Sequence, residues 1–187
     1  MFSPWTAPYV NFWLMMSLSA VLLIAIALFL QRKNFLEIFS FKPAYILVGI
    51  FSAFVLYMVF FVGNFIAARL FDFAPGQVNS IYDLRNQSTP LVIGGLMLLI
   101  GAAEEIFWRG FFQHTLAQRL GPVKGYLIAS LVYALVHIWA FNFMLLMAAL
   151  VCGLFWGFIY LRYRSLWPCI ISHVVWDLFI FVVLPVR

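Results

Sequence analysis

Six ionisable side chains stand inside apolar runs that otherwise hold almost none: Glu104, Glu105, Arg109, His137, His173 and Asp177. Three are carboxylates and two are imidazoles, groups able to activate water. A carboxylate takes a proton from water while a histidine orients the water or steadies charge. If that water attacks an amide carbonyl, the resulting oxyanion needs hydrogen-bond donors, which a histidine or a protonated carboxyl group supplies. Nucleophilic chemistry has less support. Ser165, Cys169 and Ser172 lie in "RSLWPCIISH" with no nucleophile-elbow pattern around them. The chain also has no glycine-rich phosphate loop and no HExxH motif.

Each group also has a purely structural reading. Glu105 and Arg109 are an i,i+4 pair on one helix face, fit to be a buried ion pair that fixes packing. Glu104 projects roughly 100° away from Glu105, so one arginine does not serve both. A carboxylate in lipid must then find another partner or stay protonated. His137 alone reads as an interhelical hydrogen bonder. His173 and Asp177 share a face at i,i+4, where Asp177 would fix the histidine tautomer. Taken together they read as a site, because intramembrane ionisable residues are functional by default. His114, beside Gln113 and Arg119, is expected to be solvated at the interface. Tyr82, Asp83 and Arg85 are expected to be ordinary loop residues. Cys152 and Cys169 have neither CxxC nor zinc-finger spacing and read as small packing residues.

The elements that must position these groups follow from composition. Of 187 residues, 66% are hydrophobic and 9% are charged, against about 25% charged in a soluble domain. Mean hydropathy is +1.07. That excludes a soluble fold of this size and implies an all-α, polytopic membrane helical bundle. A span needs about 20 apolar residues, and about six segments qualify: 9–31, 43–68, 90–118, two within 123–161, and 166–185. The tract 123–161 would exceed about 50 Å as one helix, so it must turn, at "WAFNF". Pro43, Pro90, Pro122 and Pro168 lie near predicted helix starts, and Thr89 is placed to cap the third span. The N-terminal "MFSPWTAPYVNFW" lacks a basic n-region and is expected to open a retained membrane helix. The polar stretch 72–89 reads as a connector or an outer lid. The expected organisation is one transmembrane domain, 1–187, with two N-terminal spans in 1–89 and the polar groups in 90–180.

Charge sets the expected orientation. Arg32, Lys33, Lys42, Arg119, Lys124, Arg162 and Arg164 fall on one side, with Arg69, Arg85 and Arg187 on the other. The positive-inside rule makes the first set cytoplasmic and both termini external, in the cell membrane if the source is bacterial. The net charge of +5 sits in these clusters, not along one polar face, so the expected partner is membrane lipid and not nucleic acid. Counted from the cytoplasmic ends, the polar groups lie at depths of roughly 10 to 22 Å, between that interface and the midplane. Trp5, Tyr9, Trp13, Tyr160, Tyr163 and Trp167 are expected at the interfaces.

Three motifs carry a resemblance. "EEIFWR" at 104–109 resembles the EExxxR motif of the CAAX prenyl protease and bacteriocin-processing family of intramembrane proteases, also called the Abi group. "YALVH" at 133–137 is similar to its FxxxH motif, with Tyr133 in place of phenylalanine. "HVVWD" at 173–177 is similar to its HxxxN or HxxxD motif, and Gly153, Gly157 and "RSLWP" fit the approach to it. The resemblance covers about 90–180 and implies an endopeptidase acting in the membrane on a membrane-anchored protein or peptide. It implies that Glu104 with His137 activates water, that His173 and Asp177 stabilise the oxyanion, and that Arg109 holds Glu105. An asparagine at 177 would donate a hydrogen bond at any pH. Asp177 donates only when protonated, and otherwise orients His173. Tyr133 for phenylalanine is expected to change little. The substrates in view are a prenylated C-terminal tail, a bacteriocin leader or a C-terminal sorting anchor.

No cofactor is expected, because neither Glu104–Glu105 nor His173–Asp177 forms a recognised zinc signature. The alternative is a zinc-dependent protease with Glu104, His137, His173 and Asp177 as ligands around an open water position. A non-enzymatic membrane scaffold or immunity protein would use the same groups as a structural knot. A proton-coupled transporter would use them as a relay, but no repeat or pair of broken helices supports that.

Overall fold

In hydrocarbon a backbone must satisfy its own N–H and C=O groups, so each apolar run winds into a helix. The computed structural model describes residues 5–6, 9–30 and 37–186. Among these residues there are seven helices and no strand. They are α1 (Phe12–Leu30), α2 (Ala44–Leu70), α3 (Ala74–Tyr82), α4 (Pro90–Leu120), α5 (Pro122–Leu135), α6 (Phe143–Tyr163) and α7 (Trp167–Val183). Five are long and apolar enough to cross a membrane: α1, α2, α4, α6, and α5 extended to Ala140; α7 is apolar but shorter. The protein is an integral membrane helical bundle. Arg32, Lys33 and Arg187 of the charge count lie outside the described residues.

The helix boundaries follow local chemistry. Pro90 and Pro122 open α4 and α5, where a missing N–H costs nothing. Thr89 caps α4 through its side chain, which accepts from the Val92 N–H. Gly121, at φ 89°, makes the tight reversal between α4 and α5. The tract 123–161 breaks where expected: a 3-10 turn at Ile138–Ala140, Phe141 in the left-handed region, and Asn142 accepting from the Leu145 N–H to start α6.

The stretch 72–89 is not a bare connector. It folds into α3 and a 3-10 turn over Asp83–Gln87, and it is tied down on several sides. Gln77 accepts from the Met144 N–H through its side chain and from the Asn142 amide through its carbonyl. The Trp13 indole donates to the Leu84 carbonyl, and the Phe12 N–H to the Gln87 side chain. Tyr82 departs from the sequence expectation. It is buried, and its hydroxyl accepts from the Val186 N–H. Its ring supplies apolar area that a loop position does not announce, while Asp83 and Arg85 are ordinary turn residues.

The interior is built by close approach. On α6, Ala149, Gly153 and Gly157 form a small-residue stripe facing α5. A Cβ on Gly153 would stand 2.9 Å from the Ser130 carbonyl oxygen. On α2, Gly49 sits under Ile171 of α7, where a Cβ would meet that side chain at 2.6 Å. Trp13 and Tyr160, near the ends of α1 and α6, are buried, while Trp5 and Tyr9 are exposed. The 3-10 turn after α3 covers Trp13, whose indole donates to Leu84, and α4 covers Tyr160, whose hydroxyl pairs with His114.

Candidate active site

The stretch that carries both glutamates changes helical form. α4 is α-helical to Glu105, then winds as a π-helix over Ile106–Gln113. Such wide turns recur at functional sites. Here it turns Arg109 and Gln113 toward α6. Arg109 Nη2 donates to the carbonyls of Cys152 and Gly153 at 3.3 and 3.4 Å, and the Gln113 amide donates to the Gly157 carbonyl at 2.9 Å. Arg109 Nη1 reaches back to Glu105 Oε1 at 2.8 Å. The guanidinium also lies over the Tyr133 and Trp156 rings.

Glu105 is fully buried and serves structure. Its Oε1 accepts from Arg109 and from His173 Nδ1, the latter at 2.7 Å. Two cationic or hydrogen-bonding partners offset the desolvation of one carboxylate. The sequence paired Glu105 with Arg109, and the structure adds His173. The tautomer of His173 is therefore governed by Glu105, not by Asp177. With Nδ1–H donating to Glu105, Nε2 points toward Asp177 Oδ2, 3.6 Å away and beyond hydrogen-bond range. Trp156 stacks on the imidazole at 3.7 Å, with its own N–H donated to Ser172. That aromatic clamp was not foreseen, because nothing in "GLFWGFIY" marks one aromatic among many.

Glu104 points elsewhere, as its helical offset required. It is only partly buried, and its Oε2 accepts from the Tyr133 hydroxyl at 2.8 Å. The residue that departs from the FxxxH pattern is thus the one that holds Glu104. His137 follows at the end of α5, with Nδ1 donating to the Tyr133 carbonyl at 2.9 Å. In the neutral ring Nε2 is then the acceptor. Asp177 packs against Gly101 of α4, where a Cβ would come within 3.3 Å of Oδ2.

A cavity of about 560 Å³ joins these groups. Glu104, His137, His173 and Asp177 all line it, together with Tyr133 and Trp156. Glu105 and Arg109 do not line it. The remaining wall is apolar and aromatic, including Phe60, Met97, Met144 and Phe181. Four groups able to move protons or donate hydrogen bonds thus line one cavity walled by hydrocarbon. As a zinc shell the arrangement fits poorly: among the described residues, no three His, Cys, Asp or Glu side chains are grouped closely enough to hold a metal ion.

The other candidates resolve as structural. Ser165 donates to the Ser40 carbonyl, Ser172 accepts from Trp156, and the Cys169 thiol faces the Trp156 carbonyl. His114 is not simply solvated: its Nδ1 pairs with the Tyr160 hydroxyl at 2.8 Å and its Nε2 with Gln118.

A family model for type II CAAX prenyl endopeptidase, Rce1-like, matches residues 86–179. No curated protein and no solved structure gives a significant match. The matched segment, half of the chain, runs from the turn before α4 into α7 and contains every side chain at the cavity's polar end. The chain belongs to the Rce1-like family of type II CAAX prenyl endopeptidases, membrane proteases whose substrates are membrane-anchored proteins or peptides.

Proposed function

We propose that the protein is a glutamate-dependent intramembrane endopeptidase that hydrolyses a peptide bond near the terminus of its substrate. The observation that carries this reading is the division of the two glutamates. Glu104 faces the cavity with His137, His173 and Asp177, while Glu105 is sealed behind them on Arg109. In the proposed mechanism Glu104 takes a proton from a water held between it and His137. The water oxygen attacks the scissile carbonyl, and the oxyanion is received by His173 Nε2–H when the ring is protonated and by Asp177 when that carboxyl carries its proton. Glu104 then returns the proton to the leaving amine. Glu105, Arg109 and Trp156 keep the His173 ring in place.

A scaffold needs a bonded polar knot, and Glu105 Oε1, Arg109 and His173 form one without Glu104. The cavity-facing Glu104 and His137 add nothing to such a knot, which favours the hydrolase. The test is a mass-spectrometric comparison of membrane peptides from cells carrying wild type and Glu104→Gln. Cleavage products are expected only with wild type, at equal protein level and melting temperature. Identical peptide sets would overturn the reading. Cleavage abolished by a chelator and restored by zinc would replace the metal-free mechanism.

A further inference from the structure

One polar side chain in the cavity wall has no task in the mechanism. Asn64 lies on α2, outside the matched segment, and lines the same cavity as Glu104, His137, His173 and Asp177. α2 runs for 27 residues, about 40 Å of helix against a hydrocarbon core of about 30 Å. Asn64 stands about 9 Å from its end at Leu70, inside the core when α2 is centred. The polar groups that α1 and the 72–89 stretch bring to this wall are taken: the Trp13 indole donates to the Leu84 carbonyl, and the Tyr82 hydroxyl accepts from the Val186 N–H. The Asn64 side chain makes no hydrogen bond to any described residue, and neither its oxygen nor its nitrogen is sealed away. Such an amide, without partners at this depth, works against the fold, and polar groups kept inside a membrane mark substrate paths.

Its height and surroundings fit a peptide. α2 and α7 run in the same direction, with Gly49 under Ile171, Tyr57 beside Phe179 and Phe60 against Trp176. Asp177 is thus level with the turns around Tyr57 and Phe60, and Asn64 lies roughly 6–10 Å further along. An extended chain advances about 3.3 Å per residue. Gly63, next to Asn64 and also in the wall, leaves room for a backbone to approach, since a Cβ there would meet nothing within 4 Å. A peptide segment in hydrocarbon brings main-chain groups that need partners. Of the α2 residues in the wall, Val59, Phe60, Gly63 and Ala67 have no polar side chain to offer.

We infer that Asn64 is a substrate-binding residue whose amide pairs with the main-chain N–H and C=O of an extended peptide, about two to three residues from the scissile bond. This rests on the proposed reading of the cavity as the peptide site. The contact is to main chain, so it sets the register of the peptide against Glu104 without selecting a side chain. Asn64 also borders a smaller hollow of about 320 Å³ that Arg69 and Asn79 line, and Arg69 serves as the control for that side.

The test uses purified full-length protein in detergent and a synthetic peptide spanning a site that wild type cuts and Glu104→Gln does not. Asn64→Leu is expected to raise KM about tenfold with kcat held, as lost uniform binding does. Asn64→Gln keeps the amide and should recover part of the affinity. Because the amide has no partner among the described residues, Asn64→Leu should melt no lower than wild type. A peptide with one backbone ester at the contacted position should bind wild type more weakly and lose nothing further on Asn64→Leu. Arg69→Gln should leave KM unchanged. An unchanged KM in Asn64→Leu, a fall in its melting temperature, additive losses at every ester position, or an equal rise in KM in Arg69→Gln overturns the inference and leaves the hydrolase reading standing. A wild type that cuts no peptide overturns both.

Discussion

At the residue scale, neighbours in sequence divide the work. Glu104 and Glu105 are adjacent, yet one meets the cavity and the other is sealed, because a helix turns them apart. Removing Arg109 strands the Glu105 carboxylate where water cannot reach. Arg109→Ala is expected to cost about 3–5 kcal/mol and to lower the expressed, folded fraction, read by thermal unfolding in detergent. Glu104→Ala should leave the melting temperature nearly unchanged, and an equal loss in both variants would return the site to a structural knot. Tyr133 is the position where residue-level expectation was weakest. Its hydroxyl was expected to matter little, and it instead donates to Glu104 at 2.8 Å. That bond fixes the position of the Glu104 carboxylate, so Tyr133→Phe is expected to lower kcat several-fold with KM unchanged, through a less well placed base. Activity should persist, since phenylalanine is the usual residue of that motif. An unchanged kcat would make the contact incidental.

At the element scale, the site depends on how closely α5 and α6 approach. Gly153 has no side chain because the Ser130 carbonyl occupies the space. That carbonyl is backbone and cannot rotate away. Gly153→Ala is therefore expected to separate the helices and destabilise by about 1–3 kcal/mol, as overpacking does. Because α5 carries both Tyr133 and His137, the same variant should lose activity at temperatures where it remains folded. Retained kcat in a destabilised protein would show that the shift does not reach the site. The π-helical segment in α4 plays a matching part on the other side. It directs Arg109 and Gln113 onto the α6 carbonyls, which a run of aromatic letters in the sequence does not announce.

At the scale of the whole molecule, the bundle holds a hollow among its helices, and the hollow is the room available to a substrate. Ala148 stands in its wall, away from the polar floor. Ala148→Trp should fill the space and raise KM or abolish cleavage without lowering the melting temperature. Phe51→Trp, on the exposed face of α2, is the control and should change neither. Equal activity in both would mean that the peptide does not use this cavity.

Hydropathy and spacing alone determined the membrane class, five of the six expected spans, the turn near "WAFNF", the Thr89 cap and the six polar residues, because these are local properties of a chain in lipid. The i,i+4 rule paired Glu105 with Arg109 and separated Glu104 from both, since helical geometry is set within a turn. Contacts between distant segments were beyond its reach. Glu105 to His173 crosses 68 residues and Glu104 to Tyr133 crosses 29. The folding of 72–89 into a roof, the burial of Tyr82 and the Trp156 clamp depend on which helix faces which, and in an apolar sequence every face looks alike. Only packing decided where the cavity lies, because the void is what remains when every helix has found its neighbours.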